Sequence, residues 1–246
     1  MQPIVTESLK EIEAIFAWLR DAKGEGLDKP TTILVGGWAV YAYNPYFGSI
    51  DIDLITSSKT KDSLKDYLVS KMGYERERDE AIGAKFVFKR AKAGRIDVDF
   101  GVREADYRFA GRKEALNLKV LDGMTEVRRI GRADVPVPTK SFLLLMKLKA
   151  AWDRRWRIEN GHSRDPEWEQ GKLIKDYADI LALVDRERGV AELDIGFLGA
   201  ELERLGFLRE TVGMAAESKD GAGKYGIDPR TAQEFIQRFE RLTNRA

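Results

Sequence analysis

Thr32-Ile33-Leu34-Val35-Gly36-Gly37-Trp38 and, thirteen residues further on, Asp51-Ile52-Asp53-Leu54 decide how this chain is read. The β-branched, apolar run that ends at Val35 predicts a buried strand, and the glycine pair predicts a turn where backbone can approach a ligand closely. Trp38 to Tyr43 reads as a helix opening directly after that turn, so its free N–H groups and positive dipole end would face a phosphate. Asn44-Pro45 ends it. Ile50 to Ile55 then alternates apolar and acidic residues, which in a strand aims Asp51 and Asp53 at the same side. Hard cations such as magnesium take oxygen ligands and keep substrate phosphates in their shell, so paired aspartates beside a phosphate turn describe a two-metal site.

Arg95-Ile96-Asp97-Val98-Asp99-Phe100 repeats the alternation, so Asp97 and Asp99 share a face and one of them supplies a third carboxylate. The spacing leaves the choice open, and Asp97 is the first candidate beside Asp51 and Asp53. The turn lacks the G-x-G-x-x-G spacing of a dinucleotide fold. The glycine pair, the Asp-x-Asp strand and the later acidic strand, over residues 30 to 102, resemble the nucleotidyltransferase superfamily typified by DNA polymerase β.

Downstream, Lys147-Leu-Lys149-Ala150 with Arg154, and then Lys175-Asp176-Tyr-Ala-Asp179, sit on two predicted helices. Lys147 and Arg154 are seven residues apart and so lie on roughly one side. This order is similar to the AbiEii type of nucleotidyltransferase, the toxin component of certain prokaryotic toxin-antitoxin and phage-exclusion systems, and extends the likeness to residues 30 to 185. The resemblance implies that Gly36, Gly37 and Ser49 bind the nucleotide's phosphates and that Asp51 and Asp53 hold magnesium, or manganese in its place. It also implies that Lys147 contacts nucleotide phosphates and that Asp176 is an essential polar residue near them. Where the family commonly carries Arg or Thr ahead of the first Asp, this chain has Ser49-Ile50, which leaves Arg154 to supply the missing charge. Lys147 is expected to be exposed and to add little to folding; Lys149 and Arg155 read as solvated.

With 246 residues, the chain suits one or two domains with a sizeable core, and its 43% hydrophobic and 34% charged content is that of a globular protein. The absence of cysteine excludes disulfides, thiolate metal sites and thiol nucleophiles. No apolar run approaches a membrane span, and the start lacks a signal-peptide pattern, so a cytoplasmic location is expected. Net charge is +1, yet residues 103 to 157 hold fourteen Lys or Arg against seven Asp or Glu. That excess, interleaved with Tyr107, Trp152 and Trp156, suits an RNA backbone or a triphosphate. His162 reads as an exposed loop residue without a role.

The organisation expected is α+β. Residues 1 to 135 form a small mixed-sheet catalytic core, and 136 to 246 a helical domain completing the active-site cleft. Strands fall near 32 to 36, 50 to 56, 84 to 90 and 95 to 101, and helices near 5 to 23, 61 to 71, 140 to 157, 170 to 188, 197 to 206 and 229 to 243. Ser218 to Gly226 reads as a glycine-rich surface loop. The activity implied is transfer of a nucleoside monophosphate from a triphosphate to an acceptor hydroxyl. By resemblance that acceptor is a tRNA 3′ end and a partner is an antitoxin. The alternatives are an antibiotic-type enzyme acting on a small molecule, and a domain that binds a nucleotide or a partner without turnover.

Overall fold

Ile12, Ile15, Phe16 and Leu19 recur at three- and four-residue spacing, and the first helix, α1 (Pro3–Lys23), buries that stripe. Gly24, at φ +64°, closes the helix with its N–H on the Arg20 carbonyl, while Glu25 donates to Leu19. The computed structural model describes residues 2–79 and 84–245. After α1 come β1 (Ile33–Val35), α2 (Gly36–Tyr43), β2 (Ile52–Thr56), α3 (Ser58–Lys71), β3 (Glu75–Asp79), β4 (Ala84–Ala91) and β5 (Gly94–Val102). Then follow β6 (Tyr107–Arg108), β7 (Ala115–Leu116), a 3-10 turn at Leu118–Asp122, β8 (Thr125–Ile130) and β9 (Ala133–Pro138). The helices α4 (Lys140–Glu159), α5 (Pro166–Val184), α6 (Ile195–Arg204), α7 (Leu208–Glu217), α8 (Lys219–Tyr225) and α9 (Pro229–Thr243) complete the order.

The fold is α+β, with a mixed five-stranded sheet in the order β1-β2-β5-β4-β3. β2 and β5 run parallel and the other pairs are antiparallel, so the crossover from β2 to β5 carries α3 and the β3–β4 hairpin. Ile52 and Leu54 of β2 and Ile96 and Val98 of β5 are buried, as the alternating pattern requires. α1 packs on β5 and β9, and α3 on β4 and β5. The four expected strands are present. β3, with the charged sequence Glu-Arg-Glu-Arg-Asp, and the β8–β9 hairpin add to them.

The chain divides into two compact units. One contains residues 1–42, 47–105 and 118–139, and the other 43–46, 106–117 and 140–246. The second is helical: α4 lies against α5, α5 against α8, and α9 against α6 and α7. A short piece of chain after α2 is built into it through Asn44, whose amide donates to the Ala182 carbonyl at 2.9 Å and to Tyr225 Oη at 2.8 Å. Val190 N–H donates to the Tyr43 carbonyl. No helix among the described residues is long and apolar enough to cross a membrane.

Ser218 to Gly226 is not a loop. It forms α8, because Ser218 accepts from Gly221 N–H at 3.0 Å as the N-cap and Gly226, at φ +83°, closes the other end. Glycine content lowers helix propensity, but here Gly221 faces Tyr177, where any larger residue would collide with the Tyr177 Cβ. Replacing Ser218 with Ala should therefore lower stability by about 1 kcal/mol, read from the denaturation midpoint, with Ser218→Asp retaining most of it.

Candidate functional site

Gly36 stands at φ +67°, a conformation that L side chains rarely adopt, at the junction of β1 and α2. Its Cα faces the carboxylate of Asp53, so that a methyl group placed there would overlap Asp53 Oδ2. Register explains the meeting: Val35 is paired with Asp53 across the antiparallel β1–β2 ladder, and the chain turns into α2 directly after it. The glycine pair and the Asp-x-Asp strand thus touch. Asp53 is in turn level with Asp99 on the parallel strand β5. Neighbouring strands lie about 4.8 Å apart, so these two carboxylates leave the same face side by side. Asp51 lies one residue ahead of β2.

Asp97 is placed differently. Its carboxylate accepts from Arg95 Nε at 2.7 Å, and the same guanidinium reaches Glu77 at 2.5 Å while lying 4.0 Å from the Phe88 ring centroid. Asp97 is therefore engaged in a cross-strand network; Asp99 is exposed and level with Asp53. Among the described residues, no three acidic or histidine side chains gather closely enough to hold a metal ion by themselves. The donor set, however, suits magnesium in kind. That ion is commonly held by one or two carboxylates, with substrate phosphates and water completing its shell. Ser49 is buried just ahead of β2, and Phe47 and Ile50 on either side of the Gly48-Ser49 pair are each more than a third exposed.

In the helical unit, Lys147 is buried rather than solvated. Its ammonium lies 3.1 Å from Asp176 and 2.7 Å from Asp179, and Arg154 Nε donates to the other oxygen of Asp176 at 2.9 Å. The expectation of an exposed lysine is thereby corrected. An ion pair closed to water cannot lose one partner without stranding the other, at a cost of about 3–5 kcal/mol. The seven-residue spacing did place Lys147 and Arg154 on one side of α4, and both meet Asp176 on α5. Asp179 is further held by Lys175 at 3.0 Å and by the Tyr46 hydroxyl, which donates at 2.6 Å. Burial resists ionisation of Asp179, but Lys147 and Lys175 outweigh it and hold its pKa down to about 2. Burial raises Tyr46 far above the usual phenol range, with the Asp179 charge acting in the same direction.

Lys149 and Arg155 are corrected likewise, since both are buried. Lys149 pairs with Asp153 under the rings of Tyr107 and Phe109, and burial lowers its pKa. Arg155 pairs with Glu210 at 2.9 Å. The basic excess between 103 and 157 is thus neutralised in part by acids outside that segment, Asp176 and Asp179 for Lys147, Glu169 for Arg157 and Glu210 for Arg155. His162 is an exposed loop residue stacked on Trp156. Tyr46 and Asn44 are the residues that sequence reasoning passed over. They follow α2 directly, and only the long-range partners Asp179 and Tyr225 give them a role.

No family model matches this sequence, and no curated protein matches it. Among solved structures, the chain is similar to an antigenic nucleotidyltransferase-like protein from Paracoccidioides brasiliensis. The identity is 16% and the TM-score 0.45, over 85% of this chain and 92% of that one.

Two outcomes follow from the geometry. Gly36→Ala should lower stability by about 1–3 kcal/mol, because the left-handed backbone and the Asp53 carboxylate both oppose a Cβ; an unchanged melting temperature would contradict it. Asp179, with an ordinary pKa of 3.8 unfolded and about 2 folded, stabilises the protein fully above pH 3.8 and loses that contribution as pH falls to 2. The stability gap between wild type and Asp179→Asn should accordingly narrow by about 2 kcal/mol between pH 5 and pH 2 in urea titrations.

Proposed function

We propose that this chain is a nucleotidyltransferase that moves a nucleoside monophosphate from a triphosphate to an acceptor hydroxyl. The observation that carries the reading is the contact of Gly36 with the Asp53 carboxylate, with Asp99 level beside it. A turn that opens a helix and a pair of carboxylates on one sheet face are the two things that a triphosphate and its counter-ion require. Magnesium, or manganese in its place, would be held by Asp51 and Asp53 together with the triphosphate's own oxygens and water, and would neutralise the triphosphate's charge.

In this reading, Gly36, Gly37 and Ser49 hold the β and γ phosphates, with the first N–H groups of α2 directed at them. Phe47 and Ile50 offer an apolar surface to the nucleoside. The acceptor oxygen attacks the α-phosphorus, forming one P–O bond while the bond to the β-phosphate's bridging oxygen breaks and pyrophosphate leaves. Asp99 takes the hydroxyl proton. Asp99 is preferred to Asp97 because it is level with Asp53 across the β2–β5 ladder.

The finer reading, an AbiEii-type enzyme acting on a tRNA 3′ end and controlled by an antitoxin, draws support from the pairing of Lys147 and Arg154 with Asp176. Lys147 and Asp176 then serve as positioning residues between α4 and α5, with Arg154, less buried than either, closing the same pair. Incubation with each labelled triphosphate, magnesium and total RNA tests the activity by transfer of label. Asp51→Asn and Asp53→Asn should each reduce that transfer by about a thousandfold with the fold intact, since lost metal ligation costs several kcal/mol in the transition state. Asp99→Asn should match them and Asp97→Asn should fall within about tenfold of wild type. Equal, mild effects at 97 and 99 would remove both from the site.

A further inference from the structure

Lys23-Gly24-Glu25 ends α1, and the manner of its ending sets a carboxylate in the wall of a cavity. Gly24 is left-handed and the Glu25 N–H donates to the Leu19 carbonyl at 3.1 Å, so the cap fixes where the Glu25 side chain leaves the backbone. The cavity, of about 460 Å³, lies in the sheet unit. Glu13, Phe16, Ala17 and Arg20, at the i, i+3, i+4 and i+7 positions of α1, line one side of it. The β8–β9 hairpin contributes Arg129, Arg132 and Pro136, and the segment between α1 and β1 contributes Leu27 and Pro30. Leu27 is 44% exposed, an apolar side chain left facing water at the cavity's edge.

The wall carries three arginines and three carboxylates, and each arginine has its acid. Arg129 pairs with Asp134 at 2.9 Å, Arg132 with Glu13 at 3.1 Å, and Arg20 with Asp21, outside the wall, at 2.7 Å. Arg103, which donates to the Pro30 carbonyl, is taken by Asp122 at 2.7 Å. Glu25 is the charge left over. It accepts from Thr32 N–H at 2.9 Å and from Thr32 Oγ at 3.1 Å, both neutral donors, and no Lys or Arg among the described residues forms an ion pair with it. Thr32 is 1% exposed and lies 2.8 Å from Thr56 Oγ, so the donors that hold Glu25 are themselves held. Each Glu25 oxygen has one donor and keeps the capacity to accept another.

We propose that this cavity binds a small organic monocation, a primary ammonium on an apolar body of on the order of ten carbon atoms. The ammonium pairs with Glu25 through charge-assisted hydrogen bonds, and the body lies along Phe16, Leu27 and Pro136. A neutral ligand would leave the Glu25 charge unanswered, and an anion would meet arginines that already have partners. None of the residues assigned to the nucleotide or its metal lines this cavity, so the proposal goes beyond the transferase reading and its test reads binding alone.

The test is calorimetric titration of the full chain with 4-phenylbutylamine, with 4-phenylbutan-1-ol and with 4-phenylbutanoate, which share one apolar body and differ in charge. The amine should bind saturably at one site per chain, and the alcohol and the carboxylate about tenfold more weakly or less. Glu25→Gln, if folded by circular dichroism, should abolish the preference for the amine over the alcohol. Should that variant fail to fold, Leu27→Lys decides: it places a like charge at an already exposed position, and amine binding should fall by about tenfold or more. Absence of saturable amine binding to the wild type, equal binding of the alcohol or the carboxylate, a preference that survives in folded Glu25→Gln, or undiminished binding by Leu27→Lys would each overturn the proposal.

Discussion

Gly36 and Asp53 compete for one volume, and the sheet unit is arranged around that competition. A side chain on residue 36 and a carboxylate on residue 53 cannot coexist, so the left-handed glycine is what lets β1 turn sharply into α2 while an acidic residue stands opposite. The antiparallel register of β1 on β2 then sets which residue meets the turn. The parallel register of β2 on β5 sets which residue of the next strand stands beside it. A one-residue slip in either ladder would turn the acidic face into the core and expose Ile52 and Leu54. Burial of those two residues thus holds the carboxylates in place, which ties the chemistry of one face to the packing of the other.

The helical unit obeys a different constraint. Lys147, Asp176 and Asp179 are closed from water, and ions taken out of water are stable only when every partner is present. Two lysines, an arginine and a tyrosine converge on two aspartates, so the cost of desolvation is offset by specific geometry rather than by proximity alone. A hydrophobic replacement of the whole group would pack α4 on α5 at least as tightly. The charged arrangement adds register: Lys147 and Arg154 can meet Asp176 together only when the two helices are aligned as they are.

Much of this was legible in the sequence, and its limits have physical causes. The strand-turn-helix at 32–43 and the alternating strands at 52–56 and 94–102 are carried by local patterns of two and 3.6 residues, and these signals survive without tertiary information. β3 escaped because Glu75 to Asp79 has no apolar face to reveal it. α8 escaped because two glycines within seven residues argue against a helix, while its caps, Ser218 and Gly226, speak only once the packing on Tyr177 is known. Lys149 reads as solvated until Tyr107 and Phe109 are found to cover it, and Lys147 and Arg155 share another reason. Charge on a helix predicts water only until a partner across the sequence is found, and Asp176 and Glu210 lie 29 and 55 positions away from Lys147 and Arg155.

The choice between Asp97 and Asp99 shows why alternation alone stops short of chemistry. Both residues share a face by parity, and nothing in the strand's own sequence separates them. What separates them is Arg95, two residues before Asp97 on the same face, which binds Asp97 and reaches across to Glu77 on β3. A carboxylate whose lone pairs are already directed at a guanidinium must break a charge-assisted hydrogen bond before it can take a cation. The residue nearest in number to the expected ligand set is thus the one that the sheet keeps for its own cohesion. The next acidic position on that face is the one that register sets level with Asp53, whose carboxylate meets the glycine turn.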